Sequence, residues 1–66
     1  MNGAASPAVA QVDALVIEAA ALHRSGRFAE AIIVLDRAAA AEPQRAAVHF
    51  NRGLCHGALG QALAAS

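Results

Sequence analysis

The stretch AAALHRSGRFAEAIIVLDRAAAAEP, residues 19–43, carries the strongest structural signal in the chain. Two basic residues precede Gly26, and cations followed by glycine are typical of the C-terminus of a helix. A second apolar periodicity begins at Phe28, only two residues later. Pro43 disfavours helical geometry in the residue before it, so this second helix is expected to end near Glu42. The stretch therefore predicts two helices that are joined by a tight turn and packed antiparallel.

The flanking sequence extends the helical pattern in both directions. Ser6 and Pro7 form a helix-start signal, because a hydroxyl caps the helix and proline is tolerated in its first turn. A third periodic segment follows the second helix, and Gly60 is expected to close it. Residues Gln61–Ser66 are then expected to form a short C-terminal turn, the start of a fourth helix. The expected helices span about 7–25, 28–42 and 44–59.

Apolar residues recur at intervals of three and four in each segment, as on one face of a helix. No segment shows the alternation of a strand, so the fold class is all-α. We expect residues 1–6 to be a disordered tail and residues 7–66 to form one helical domain. The apolar faces comprise Val9, Val12, Leu15, Val16, Ala19 and Leu22, then Phe28, Ala31, Ile32, Leu35, Ala38 and Ala39, then Ala47, Phe50, Leu54 and Ala58.

The chain also repeats itself. Gly26 and Gly60 are 34 residues apart, and the same offset pairs Ala19 with Gly53 and Val16 with Phe50. A helix–turn–helix period of 34 residues is the tetratricopeptide length. The residues that carry this pattern in the first copy are Ala19, Leu22, Gly26, Phe28, Ala31, Leu35, Ala38 and Pro43.

On these residues the chain resembles the tetratricopeptide repeat family, with a first repeat at about 12–45 and an incomplete second one. The resemblance implies an antiparallel helix–turn–helix α-solenoid fragment of three helices plus a short C-terminal turn. An isolated repeat cannot bury its hydrophobic face alone. The apolar third helix is therefore expected to need a covering element.

The amino-acid composition predicts a small hydrophobic core and argues against several functions. Of 66 residues 58% are hydrophobic, but alanine supplies more than half of these and buries little area. Five arginines balance five acids, which provides no basic surface for nucleic acid. No apolar run is long enough to span a membrane. One cysteine cannot form an internal disulfide, and a cytoplasmic location is expected.

The histidines and the cysteine do not form a recognisable site. His49 and His56 are two helical turns apart, too far to share an ion, so no metal or other cofactor is expected, and both are expected to be partly buried between helices. Cys55 and His56 project in different directions, so Cys55 is expected to be a buried thiol. We therefore expect no enzyme activity.

The resemblance implies a groove for an extended peptide or a partner helix. Asn51 occupies the position at which peptide-binding members place an asparagine that contacts the peptide backbone. Val16 and Ala20 replace the polar residues of those members, so the groove suits an apolar peptide or an amphipathic helix. By position, the groove comprises Asp13, Val16, Ala20, His23 and Arg24, with Ala47, Phe50, Asn51, Leu54 and Gly57.

The leading hypothesis is a non-catalytic module for protein–protein interaction. Ile33 lies between charged residues on the polar side of the second helix, which points to a lateral contact. Two alternatives remain open: a self-associating small helical protein, and an N-terminal appendage of a larger enzyme such as a transferase. The partner is accordingly a protein or peptide, a second copy of the chain, or further repeats that pack against this one.

Overall fold

The computed structural model describes residues 7–65, with side chains from residue 10 onward. It contains three helices: α1 (Pro7–Arg24), α2 (Phe28–Ala41) and α3 (Ala46–Ala65). No strand occurs in this part of the chain, and the all-α fold class is confirmed. The expected tail at 1–6, the side chain of Val9 and the last residue lie outside what is described. None of the three helices is both long and apolar enough to cross a membrane.

The turn between α1 and α2 has the tight geometry that Gly26 predicts from the sequence. Gly26 has φ +82°, the left-handed conformation that glycine adopts without a steric penalty. Its N–H donates to the carbonyl of His23 at 3.0 Å, and the N–H of Arg27 donates to the carbonyl of Leu22 at 2.9 Å. These two bonds form a Schellman cap, which satisfies the open carbonyls of α1 and reverses the chain.

The link between α2 and α3 is four residues long. The backbone N–H of Glu42 donates to the carbonyl of Ala38 at 2.9 Å, and Pro43 follows directly. Arg45 then donates from Nη1 to Oε1 of Glu42 at 3.0 Å. Because both links are short, α1 and α3 each run antiparallel to α2 and therefore parallel to each other.

The core lies where the three helices meet, with Leu35 of α2 fully buried at its centre. All three pairs of helices contact one another. The described members of the apolar faces predicted for α1 and α2 are buried or half-buried, and Val34 is an additional buried residue. The buried set is Val12, Ala19, Ala31, Val34, Leu35, Ala38, Val48 and Cys55.

The predicted end of the third helix at Gly60 is wrong. α3 runs through this glycine without a break and ends at Ala65, so the short C-terminal turn is a continuation of α3. A glycine inside a helix costs only about 0.5–1 kcal/mol relative to alanine. Each further helical residue adds a backbone hydrogen bond, and the alanines and leucine that follow favour the helical conformation.

The apolar periodicity of the third segment does not mark its buried face. Val48 and Cys55 are buried, whereas Ala47, Phe50 and Leu54 are exposed. Val48 and Cys55 are on the side of α3 that packs on the other two helices, and Phe50 and Leu54 are on another side of this helix. Of the predicted face only Ala58 is half-buried. Cys55 is buried as expected, but His49 and His56 are exposed rather than partly buried between helices.

Candidate functional site

One face of α1 carries three of the residues expected in the groove. Asp13, Ala20 and Arg24 follow one another at helical spacing, and Asp13 and Arg24 are exposed while Ala20 is half-buried. Ile17 lies between them on this face, and 70% of its surface is exposed. Ile17 is absent from the expected groove, although the 34-residue offset relates it to Asn51, which belongs to that groove. Its spacing of four from Asp13 and three from Ala20 also places it on the same face of α1.

Two other expected groove residues on α1 lie nearer the core. Val16 is half-buried and packs against the core cluster. The ring of His23 packs against the ring of Phe28 on α2, with 5.3 Å between the ring centroids and 59° between the planes. His23 is therefore engaged in the α1–α2 pair, and only its remaining exposed edge faces solvent.

A second exposed face runs along α3. Ala47, Phe50, Leu54 and Gly57 recur at intervals of three and four, and all of them are exposed. We call this set the α3 face. Phe50 is 67% exposed and Leu54 is 47% exposed, although both are large and apolar. The α3 face therefore offers an uncovered hydrophobic surface on a small protein.

Asn51 lies beside the α3 face and is half-buried. Its Nδ2 donates to the carbonyl of Ala47, one turn earlier in α3, at 2.7 Å. One amide hydrogen is therefore used within the helix. The side-chain carbonyl and the second amide hydrogen can form further hydrogen bonds.

Ion pairs hold α3 against the other two helices. Arg45, in the link before α3, pairs with Asp13 on α1. Hydrogen bonds from the guanidinium to Glu42 and Asp13 raise the pKa of Arg45, so its charge is held among carboxylates. Arg52 pairs through Nε with Oδ1 of Asp36 on α2 at 3.2 Å. The structure thus places Asp13 of the expected groove next to the start of α3.

The α3 face carries no formal charge. Arg52 is the only Asp, Glu, Lys or Arg in α3, and it is directed to Asp36 on α2. The face of α1, in contrast, has Asp13 and Arg24 beside Ile17. Each face therefore has large apolar residues at its centre, Phe50 and Leu54 on α3 and Ile17 on α1. Polar residues lie beside them, Asn51 on α3 and Asp13 and Arg24 on α1.

Ile33 lies on a different surface, between α1 and α2. It is 55% exposed, as expected from the sequence. The Arg27–Glu30 pair beside it is itself well exposed, with 3.8 Å between Nε and Oε1. A shallow depression here is lined by Glu18, Leu22, Arg27, Glu30, Ile33, Val34 and Arg37. We call it the Ile33 surface.

Within residues 7–65, no group of three or more His, Cys, Asp or Glu side chains is placed to hold a metal ion. Cys55 is 2% exposed, and burial raises the pKa of its thiol, which disfavours the nucleophilic thiolate. His49 contacts the backbone carbonyl of Pro43 through Nε2.

Comparison with known protein families gives one match. A family model described as tetratricopeptide repeat covers residues 12–55, which is more than half of the chain. The matched segment begins at Val12 and ends at Cys55, two of the buried core residues. Neither the curated proteins nor the solved structures gave a match.

Proposed function

We propose that this chain, which belongs to the tetratricopeptide repeat family, is a non-catalytic module that binds a peptide or helix of a protein partner. Repeats of this family generally mediate protein–protein interaction. The proposed site combines the α3 face with the exposed face of α1 around Ile17.

The observation that carries this proposal is the exposure of Phe50 and Leu54 on an uncharged helical face. Large apolar side chains that cluster on a surface commonly mark an interaction site. An incoming apolar side chain would gain contacts with both residues, because they lie one turn apart on α3. Asp13, Arg24 and Asn51 would supply polar contacts at the edges.

The charges favour an apolar or amphipathic partner over a charged one. Arg52 is the only Lys or Arg in α3 and pairs with Asp36, so α3 presents no cluster of basic residues. A polyanionic partner such as nucleic acid would find little counter-charge. An amphipathic helix that lays its apolar side on Phe50 and Leu54 fits better. The cytoplasmic location remains a prediction.

The test is selection from a displayed library of random 15-residue peptides on the purified protein. Binders are then compared on the double variant Phe50→Ser/Leu54→Ser and on the matched control Ile33→Ser, which removes an equally exposed apolar residue elsewhere. Both variants change exposed positions, so both should retain the helical circular dichroism of the wild type.

We expect selected peptides to be amphipathic or apolar and to lose at least tenfold in affinity on the double variant, about 1.4 kcal/mol or more. Affinity for Ile33→Ser should stay within twofold of that for the wild type. Peptides that bind the double variant as tightly as the wild type would contradict the proposal. A selection that enriches no peptide for the wild type over the double variant would contradict it as well. Loss on Ile33→Ser would instead support the lateral contact through Ile33.

A further inference from the structure

We propose that a second copy of the chain covers the α3 face, in an antiparallel pair in which Phe50 of each copy lies over Gly57 of the other. This inference rests on the proposed function, because it names the occupant of part of the same surface. Three observations carry it: an exposed aromatic ring, glycines that the chain itself does not require, and the absence of charge.

Within the part of the chain that the structure describes, the glycines of α3 have no steric role. A Cβ added at Gly53 or Gly57 would meet no atom within 4 Å. Both residues lie inside a helix, where glycine is less stable than alanine. Their lack of side chains therefore leaves space on the outside of α3 that none of the described residues fills.

The spacing of large and small residues makes the α3 face complementary to itself. In a twofold interface residue i of one copy meets j of the other, and j meets i in return. With the axis midway between residues 53 and 54, Phe50 is opposite the partner's Gly57 and Gly57 is opposite the partner's Phe50. The two Leu54 side chains meet at the axis. Large side chains facing small ones is the arrangement that packs without voids.

A parallel pair does not have this property. It would place Phe50 against the partner's Phe50 and Gly57 against the partner's Gly57, crowding one turn and leaving a gap two turns later. The antiparallel pair also brings no like charges together, because α3 has no formal charge other than Arg52, which is paired with Asp36.

The area available sets the strength of the pair. A helix of 20 residues is about 30 Å long and 10–12 Å wide, so one side projects roughly 300 Å². Specific interfaces at the small end of the range bury about 600 Å² per partner. We therefore expect a weak dimer that dissociates on dilution, with a dissociation constant of roughly 10 µM to 1 mM.

The test is sedimentation equilibrium of the full chain from about 1 µM to about 2 mM, concentrations that bracket that range. Four proteins are compared with the wild type: Phe50→Ala, Gly57→Phe, the double variant Phe50→Ala/Gly57→Phe, and the control Ile33→Ala, which changes an exposed apolar residue away from the α3 face. Circular dichroism confirms folding, and Gly57→Phe should fold because the space around this glycine is open.

We expect the wild type and Ile33→Ala to dimerise, and each single α3 variant to weaken the dimer at least tenfold. The double variant should restore it to within threefold of the wild type, because the ring introduced at position 57 would then lie over the small side chain introduced at position 50 of the partner. A wild type that is monomeric throughout, or a double variant no better than Gly57→Phe, overturns the inference.

The failures of this inference and of the proposed function are distinguishable. Peptide binding is measured near 1 µM, where the dimer is dissociated. If the wild type stays monomeric while peptide binding depends on Phe50 and Leu54, only the inference fails. If Phe50→Ala/Gly57→Phe restores dimerisation but no peptide is selected on the wild type, the inference stands and the proposed function fails.

Discussion

The guanidinium of Arg45 pairs with the carboxylate of Asp13, 32 residues earlier in the chain. The same guanidinium bonds Glu42 at 3.0 Å, so one cation connects α1, the end of α2 and the start of α3. Asp13 lies on the exposed face of α1, whereas Arg45 immediately precedes α3. The pair therefore helps to fix the position of α3 relative to the α1 face that we propose binds a partner.

Replacing Asp13 with Asn should lower the midpoint of thermal unfolding by a few degrees at low salt. The difference should nearly disappear at about 1 M NaCl, where the screening length falls to about 3 Å. Glu30→Gln is the control, because its pair with Arg27 is long and exposed and should contribute less. An equal loss for both variants at every salt concentration would show that the Arg45 pair has no special role.

Aspartate at Ala31 or Leu35 should unfold the protein. Both residues are fully buried, and an uncompensated charge there costs several kcal/mol. A chain of 66 residues has a total stability of roughly 3–10 kcal/mol. Ile33→Asp is the matched control on the same helix, where the side chain is exposed. Circular dichroism should show loss of helix for the first two and retention for the third, and helix retained in all three would refute this core.

Alanine at Gly26 and at Gly60 should have opposite effects. Gly26→Ala forces a Cβ into the left-handed conformation at φ +82° and should destabilise by about 1–2 kcal/mol. Gly60→Ala places a better helix former inside α3, where its Cβ meets nothing, and should stabilise by about 0.5–1 kcal/mol. Urea unfolding measures both, and destabilisation by Gly60→Ala would mean that α3 ends at this glycine.

These two glycines show how far the sequence determines the fold. Gly26 is followed within two residues by a new apolar face that packs on α1, so the chain gains contacts by reversing there. After Gly60 the described residues form no second packed helix, and the helical hydrogen bonds of α3 continue through Ala65. The sequence pattern at both sites is a glycine at the end of an apolar period, and only tertiary contacts distinguish the outcomes.

The sequence predicted only part of the candidate site, because residue spacing does not determine tertiary contacts. The positions expected on α1 and α3 were implied by the resemblance to the tetratricopeptide repeat family, and the structure exposes Phe50 and Leu54. The apolar periodicity also predicted that these residues form the packed side of α3. The spacing of apolar residues does not show which side of a helix another helix covers. His23 and Asn51 form contacts with Phe28 and Ala47 that depend on side-chain conformation, which no spacing encodes.

The thiol of Cys55 should make stability fall at alkaline pH. Burial raises the pKa of Cys55 in the folded protein. Above the unfolded value of about 8.5, the unfolded chain therefore loses its proton first and unfolding becomes more favourable. The chain contains no lysine and no tyrosine, so no other side chain titrates near pH 9. Urea midpoints of the wild type should fall between about pH 8 and pH 10 relative to Cys55→Ala, and parallel profiles would contradict the assignment.

The same burial should slow chemical modification. Because Cys55 is only 2% exposed, its thiol reacts mainly when the fold opens, and its reaction with a thiol reagent at pH 8 should be at least about tenfold slower than in urea. Equal rates in the folded and unfolded protein would show that α3 does not pack as described.

The binding surface that we propose comprises the α3 face and the face around Ile17. A two-dimensional NMR titration of the labelled protein with a selected peptide, at a concentration below dimerisation, locates this surface residue by residue. We expect the largest backbone shift changes at Phe50, Leu54 and Ile17, with those at Ile33 near the background. Shift changes centred on Ile33, or spread evenly over all three helices, would show that the partner binds elsewhere.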